Sequence, residues 1–125
     1  MKPFLIHDEC WDADIWVLAP GDEPALVAFI KRKFGKDIDR DPQPHFFGRY
    51  FCVEEPDGTE RAFVMALCFR KPRTTRQLAT LVHECVHVAH AVLENRGVVI
   101  NDETAEPLAY LTDSLFSRIL NRLNK

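Results

Sequence analysis

The sequence has no long hydrophobic run. No apolar stretch approaches the roughly twenty residues that a transmembrane helix needs, so we expect no membrane partner. At the amino terminus, Met1 to Ile6 is followed at once by His7, Asp8 and Glu9, which interrupts any signal-peptide pattern. We therefore expect a cytoplasmic protein.

Paired cysteines and excess positive charge are also missing. The four cysteines are far apart and form no CxxC pair, so neither a Cys-ligated zinc site nor a disulfide framework is indicated. They are Cys10, Cys52, Cys68 and Cys85. We expect reduced, mostly buried thiols. The net charge of −3 disfavours a nucleic-acid partner, because phosphate binding needs clustered positive charge.

Internal repeats, low-complexity tracts and linkers are absent, and the 125 residues fit a single domain spanning 1–125. Charge is scarce in one segment in particular. From Gln77 to Asn95 the only charged residues are Glu84 and Glu94, which is unusual for a helix with one face in water.

This charge-poor segment contains a His-Glu-x-x-His motif, His83 to His87. At 3.6 residues per turn, the two histidines lie on the same side of a helix, close enough to bind one zinc ion. Glu84 then stands beside the metal as the general base. The alternative is that two histidines line the helix by coincidence.

Apolar residues flank the motif histidines on both sides. One stripe contains Leu78, Val82, Cys85, Val86, Ala89 and Leu93, and the other contains Leu81, Val88 and Ala91. His90 shares the narrow polar sector between them. A buried polar row needs partners, which a metal would supply. For His90 we consider a ligand, a hydrogen-bond donor near the metal, a transition-state stabiliser, or a plain half-buried histidine.

A third ligand is expected elsewhere, because catalytic zinc sites usually have three protein ligands and one water. Glu106 follows His87 with eighteen residues between them. Here the sequence resembles the gluzincin branch of the zincin-like metallopeptidases, whose pattern is HExxH, eighteen or so residues, and a glutamate. Short phage and bacterial metallopeptidases look similar, with a helix-opening Glu soon followed by Ala-Tyr. The likeness covers about the last third of the chain.

The resemblance implies a zinc metallopeptidase that hydrolyses a peptide or protein substrate. It implies that His83, His87 and Glu106 are the zinc ligands and that Glu84 is the general base. Thermolysin-like members often carry an aspartate one turn after the glutamate ligand, and Tyr110 stands at that place.

Other residues near the motif have predicted roles as well. Tyr110 and His90 are candidates to stabilise the oxyanion that develops during catalysis. Asp113 is a candidate to orient a metal-bound imidazole. Glu103 is the alternative to Glu106 as third ligand, and either glutamate is also explained as a favourable charge at a helix amino terminus.

Two other functions stay open from the sequence. One is a zinc-stabilised binding or structural domain that hydrolyses nothing. The other is a regulatory peptidase that cuts one dedicated protein partner.

The predicted fold class is α+β, with a small antiparallel or mixed sheet packed on helices. Residues 1–12 are predicted to be irregular, with Trp11 anchored on the core, followed by a strand at 14–19. A helix at 24–34 begins with Asp22 or Glu23 as cap and ends at Gly35.

Two strands at 46–53 and 61–69 are predicted to form an antiparallel hairpin around Asp57-Gly58. By resemblance to zincins, the strand 61–69 or its partner is the sheet edge that holds an extended peptide. The basic connector 70–76 is predicted to be a solvated turn or to attract an acidic partner.

The motif helix is expected to start at a Thr74 or Thr75 cap and to end near Asn95. A last helix follows, capped by Asn101, Asp102 or Thr104. Its predicted buried stripe contains Ala105, Leu108, Ala109, Thr112, Leu115, Phe116, Ile119 and Leu123.

Overall fold

The computed structural model describes residues 2–38, 48–55 and 61–125. The strands are β1 (Phe4–Asp8), β2 (Ala13–Leu18), β3 (Gly48–Glu54) and β4 (Arg61–Leu67). The helices are α1 (Glu23–Phe34), α2 (Thr75–Asn95) and α3 (Ala105–Leu123), and a short 3-10 turn, Asp102–Thr104, precedes α3. The predicted α+β class is confirmed.

The strands form one mixed sheet in the order β1-β2-β4-β3. β1 and β2 pair antiparallel, as do β3 and β4, while β2 and β4 run parallel. The predicted hairpin is therefore confirmed. β4 lies inside the sheet and every residue after Arg61 is buried, so β3, not β4, is the edge strand beside it.

Helices cover both faces of the sheet, because β4 is apolar on both sides. Its residues facing α1 are Ala62, Val64 and Ala66, and those facing α2 and α3 are Phe63, Met65 and Leu67. A central strand buried on both faces reads as a continuous apolar run rather than an alternating one. The sheet thus gives α2 a rigid apolar platform.

The predicted helix ends are confirmed at α1 and α2. The Asp22 carboxylate accepts a hydrogen bond of 2.9 Å from the Ala25 N–H, and Gly35 ends α1 with a left-handed φ of 70°. At α2 the Thr74 hydroxyl accepts from the Gln77 N–H at 3.1 Å. The Asp22 and Thr74 side chains satisfy N–H groups that a helix start leaves without partners.

The prediction of an irregular segment at 1–12 was wrong. Phe4–Asp8 is a strand that pairs with β2 from Phe4 opposite Val17 to Asp8 opposite Ala13. Its alternating burial marks a strand with one face on the core, although Asp8 takes an inward position. Trp11 packs against the core as predicted. Part of the strand predicted from 46 and the Asp57-Gly58 turn lie outside the described residues.

The cysteine burial prediction was wrong for three of the four thiols. All four are free, but only Cys85 is buried, whereas Cys10, Cys52 and Cys68 are exposed. Cys52 lies on the edge strand β3, and Cys68 lies one residue beyond the end of β4.

The apolar stripes of α2 and α3 are only partly buried. In α3, Leu115, Ile119 and Leu123 are buried as predicted and Leu111 joins them, but Ala105 and Ala109 are exposed. In α2, Val82 and Val86 are each 40% exposed. None of the helices in the described residues is long and apolar enough to span a bilayer.

Candidate active site

His83 and His87 face each other one turn apart on α2. Their Nε2 atoms are 3.1 Å apart, and the ring planes meet at 78° with centroids 4.6 Å apart. His83 is exposed and His87 is half-buried, so the pair opens to solvent. The helical spacing therefore aims both imidazoles at one point on the surface.

This separation fits a shared metal ion. Two nitrogens bound to one tetrahedral zinc at about 2.0–2.1 Å lie about 3.3 Å apart, close to the observed 3.1 Å. The distance also fits a hydrogen bond from one neutral ring to the other. Imidazole nitrogen is a preferred zinc ligand, and a catalytic zinc site has three protein ligands, so this pair could supply two of the three.

Tyr50 of β3 packs against the ring of His87. The two rings stack with centroids 4.9 Å apart and planes 12° from parallel. Burial lowers the pKa of His87, and the neighbouring His83 and His90 lower it further. The stack restricts the orientation of the His87 ring, and the lowered pKa favours its neutral form, which is the form that binds metal.

Glu84 lies beneath the start of β3 and is only 4% exposed. A Cβ atom added at Gly48 would stand 2.7 Å from Glu84 Cγ, so the β3 backbone approaches as closely as a glycine allows. Burial raises the pKa of the Glu84 carboxyl, while His83 and Arg49 act in the opposite direction. A carboxyl with a raised pKa in a covered position suits proton transfer near neutral pH.

An ion pair anchors this part of β3 to α1. Arg49 Nη1 lies 2.5 Å from Glu23 Oε2, and both side chains are largely buried. The Arg49 guanidinium also lies over the Phe51 ring, 4.9 Å from its centroid. Because Arg49 stands between Gly48 and Tyr50, the pair holds in place the two β3 residues that contact the motif.

His90 is turned to a different partner. Its Nδ1 lies 3.3 Å from Glu94 Oε1, one turn further along α2. A histidine paired in this way is explained without a metal. Its predicted catalytic role stays a prediction.

The other predicted residues are on α3 or just before it. Glu106, Tyr110 and Glu103 are exposed, with Tyr110 at 69%. Within residues 2–38, 48–55 and 61–125, no group of three His, Cys, Asp or Glu side chains is placed to hold a metal ion. The assignment of Glu106 as third ligand, and of Glu103 as its alternative, stays a prediction.

An apolar groove of about 440 Å³ separates α2 from α3. Its lining residues are Val82, Val86, Ala105, Leu108, Ala109, Thr112, Asp113 and Phe116. Val82 and Val86 each precede a motif histidine by one residue, so the groove begins beside the pair, on the side away from Tyr50. Asp113, the one charged residue of the lining, stands in this groove.

Sequence reasoning missed Gly48, Arg49 and Tyr50, which shape the site from β3. A signal was present. A glycine within a strand pattern indicates a close backbone approach, and alternation puts Gly48 and Tyr50 on one face. The strand pattern does not show which helix residue Tyr50 contacts, because only the packing of β3 on α2 brings Tyr50 to His87.

Comparison of the chain with protein-family models, with curated proteins and with solved structures gave no match.

Proposed function

We propose that this protein is a zinc-dependent hydrolase that cleaves peptide bonds. The observation that carries the proposal is the paired Nε2 atoms of His83 and His87, 3.1 Å apart and open to solvent, on the helix that also carries the buried side chain of Glu84. His83 and His87 would hold the metal, with Glu106 as the candidate third ligand. Zinc, when bound, lowers the pKa of a coordinated water to about 7 and polarises a carbonyl group.

Glu84 acts as general base and then as general acid. Its carboxylate takes a proton from the attacking water and later gives that proton to the nitrogen of the leaving amine. Coverage by β3 supports this role, since burial raises the pKa of the carboxyl towards the range in which it both accepts and returns a proton.

The β3 edge offers a place for an extended substrate. Among the described strands β3 pairs only with β4, so its outer side is free of a described strand partner. Main-chain hydrogen bonds to such an edge hold an extended peptide in register. Tyr50 on this strand contacts His87, which places the edge next to the paired imidazoles.

The α2–α3 groove lies on the other side of the paired histidines from the β3 edge. Its apolar lining suits a large apolar side chain of the substrate, and Asp113 stands at the same surface. Peptides that carry Leu, Phe or Met near the cleaved bond are therefore the first substrates to test.

A zinc-stabilised structural domain fits the site less well. Structural zinc is almost always held by four protein ligands. The described residues bring two together, one fewer than a catalytic site requires and two fewer than a structural one.

The test is hydrolysis of a mixed peptide library by the zinc-loaded protein, read by mass spectrometry, beside Glu84→Gln. Glutamine keeps the shape of the side chain under Gly48 but cannot accept the proton. We expect cleavage to fall by about 10²- to 10⁴-fold with unchanged zinc content. Equal cleavage by both proteins contradicts the proposal. If neither the library nor co-expressed host proteins are cleaved, the protein is a non-catalytic domain. If a single host protein is cleaved and the library is not, the protein is a regulatory peptidase.

The third ligand is tested by Glu106→Gln beside Glu103→Gln. These variants make the same charge change three residues apart. We expect zinc affinity to fall in Glu106→Gln and to stay unchanged in Glu103→Gln. The reverse result assigns the ligand to Glu103.

A further inference from the structure

A second concavity lies at the amino-terminal end of α2, away from the motif histidines. It has a volume of about 410 Å³ and lies between the connector that follows β4 and the end of α3. Its lining residues are Phe69, Arg70, Lys71, Arg73, Gln77, Leu123 and Lys125. Four of these seven side chains are cationic, and none is an aspartate or a glutamate.

The four cationic side chains of this concavity have no Asp or Glu partner among the described residues. Arg70, Lys71, Arg73 and Lys125 make no ion pair with any residue in the described ranges. Lys125 partly complements the negative end of the α3 dipole. The three connector cations have no such partner, and their like charges repel one another across a small space.

The start of α2 adds to this positive charge. Its first turn contains no acidic residue, so the positive end of the helix dipole is not neutralised there. Thr74 and Gln77 also fix the connector, because Gln77 N–H donates to Thr74 Oγ1 at 3.1 Å and Arg73 N–H donates to Gln77 Oε1 at 2.7 Å. The backbone at Arg73, where the connector meets α2, is therefore held in place before any ligand arrives.

The concavity also has an apolar component. Phe69 and Leu123 are almost fully buried and belong to the core. An anionic group bound in this concavity would thus lie next to an apolar base that excludes water from one side. Charge-assisted hydrogen bonds are stronger in such a setting than on an open surface.

We propose that this concavity, formed by Arg70, Lys71, Arg73 and the start of α2, binds the phosphate group of a small molecule. A phosphate ester carries about 1.5 to 2 negative charges near neutral pH and three acceptor oxygens, which matches several separate donors better than a single carboxylate does. Arg70 and Arg73 can each donate two parallel hydrogen bonds to one phosphate, and Lys71 supplies a point charge. The site is independent of the proposed hydrolase activity.

The experiment is a titration of the full chain with inorganic phosphate, followed by backbone amide shifts in NMR spectra. We expect saturable shifts confined to residues 69–78 and 123–125. In the triple variant Arg70→Gln, Lys71→Gln, Arg73→Gln, we expect binding at least about tenfold weaker, since each lost charged hydrogen bond is worth a factor of that order.

The matched control removes three positive charges elsewhere. Lys31→Gln, Arg32→Gln, Lys33→Gln changes the last turn of α1 by the same net charge. We expect this control to bind phosphate as the unaltered protein does. Non-saturating shifts, shifts spread over the surface, or equal weakening in both triple variants would overturn the proposal, because each indicates general electrostatic attraction.

Phenyl phosphate distinguishes two sources of the phosphate group. Tighter binding than that of inorganic phosphate, with larger shifts at Phe69, indicates a phosphate ester whose organic part contacts the apolar base. Equal binding indicates the free ion. The Glu84→Gln variant is expected to bind phosphate normally, so failure of the hydrolase proposal leaves this result unaffected.

Discussion

The backbone of Gly48 lies directly against the side chain of Glu84. A Cβ atom at position 48 would stand 2.7 Å from Glu84 Cγ and 3.1 Å from Thr80 Cγ2. Neither atom is at the free end of a long side chain, so an added methyl group forces β3 away from α2. The close approach of Gly48 covers the side chain of Glu84.

Replacing Gly48 by Ala is therefore expected to destabilise the protein by about 1–3 kcal/mol, the usual cost of overpacking. Chemical unfolding measures the change. The control is the same substitution made in a Glu84→Ala background, where the Cγ atom is gone and the cost is expected to be smaller. An equal cost in both backgrounds shows that Glu84 is not the obstacle.

Tyr50 is expected to support metal binding through its ring. Tyr50→Ala removes the stack on His87, and loss of a residue that orients a ligand typically weakens metal affinity about 10- to 100-fold. Tyr50→Phe keeps the ring and is the control. Zinc affinity is measured by competition with a chelator. A loss in Tyr50→Phe as large as in Tyr50→Ala assigns the effect to the hydroxyl group and contradicts the stacking account.

The helix ends were predictable because their signals are local. Asp22, Thr74 and Gly35 act within a few residues of themselves, and each cap appears where the sequence indicates it. The hairpin of β3 and β4 was predictable for the same reason. The parallel contact of β2 with β4 joins distant segments and was not predicted. The strand at Phe4–Asp8 was missed although it pairs with the next strand along the chain, because the charged residue Asp8 takes an inward position where the pattern expects an apolar one.

The same limit applies to the candidate site. The spacing of His83 and His87 on a helix follows from the sequence, and the structure brings their rings together. The exposure of Val82 and Val86 does not follow from the sequence. It depends on how closely α3 packs against this face of α2, and an apolar groove separates the two helices there. An apolar stripe indicates a buried face only where a partner fills the space against it.

Cys85 is expected to resist thiol reagents. Burial, reinforced by the neighbouring Glu84 charge, raises the pKa of its thiol to about 12, so almost no thiolate forms at pH 8. Cys10, Cys52 and Cys68 are exposed and serve as internal controls. Labelling with iodoacetamide, counted by mass spectrometry, should modify three thiols in the native protein and four in denaturant. Rapid modification of all four in the native protein contradicts the described packing of α2.

His7 is expected to titrate above its ordinary pKa. Its hydrogen bond to Asp14, 2.6 Å long, raises the pKa, and the carboxylates of Asp14, Asp12 and Glu9 add to the effect while burial opposes it. A raised pKa in the folded state stabilises the protein below the unfolded value of about 6.5, and this contribution is lost as the pH rises through the folded pKa.

Asp14→Asn should therefore lower the pKa of His7 and destabilise the protein more at pH 5.5 than at pH 8.5. NMR titration of the His7 ring protons measures the first effect, and unfolding at the two pH values measures the second. Asp12→Asn is the control with the smaller expected change, since its carboxylate lies 3.6 Å from the ring. Equal shifts in the two variants contradict the dominant role of Asp14.

Metal content tests the central claim most directly. It is measured by elemental mass spectrometry on protein purified without added metal and without a metal-binding tag. The variants His83→Ala and His87→Ala are compared with His90→Ala, the control that lies on the same helix but pairs with Glu94. We expect about one zinc per chain in the unaltered protein and in His90→Ala, and almost none in the other two. Absence of zinc from the unaltered protein, with no change in melting temperature after zinc is added, would contradict the account.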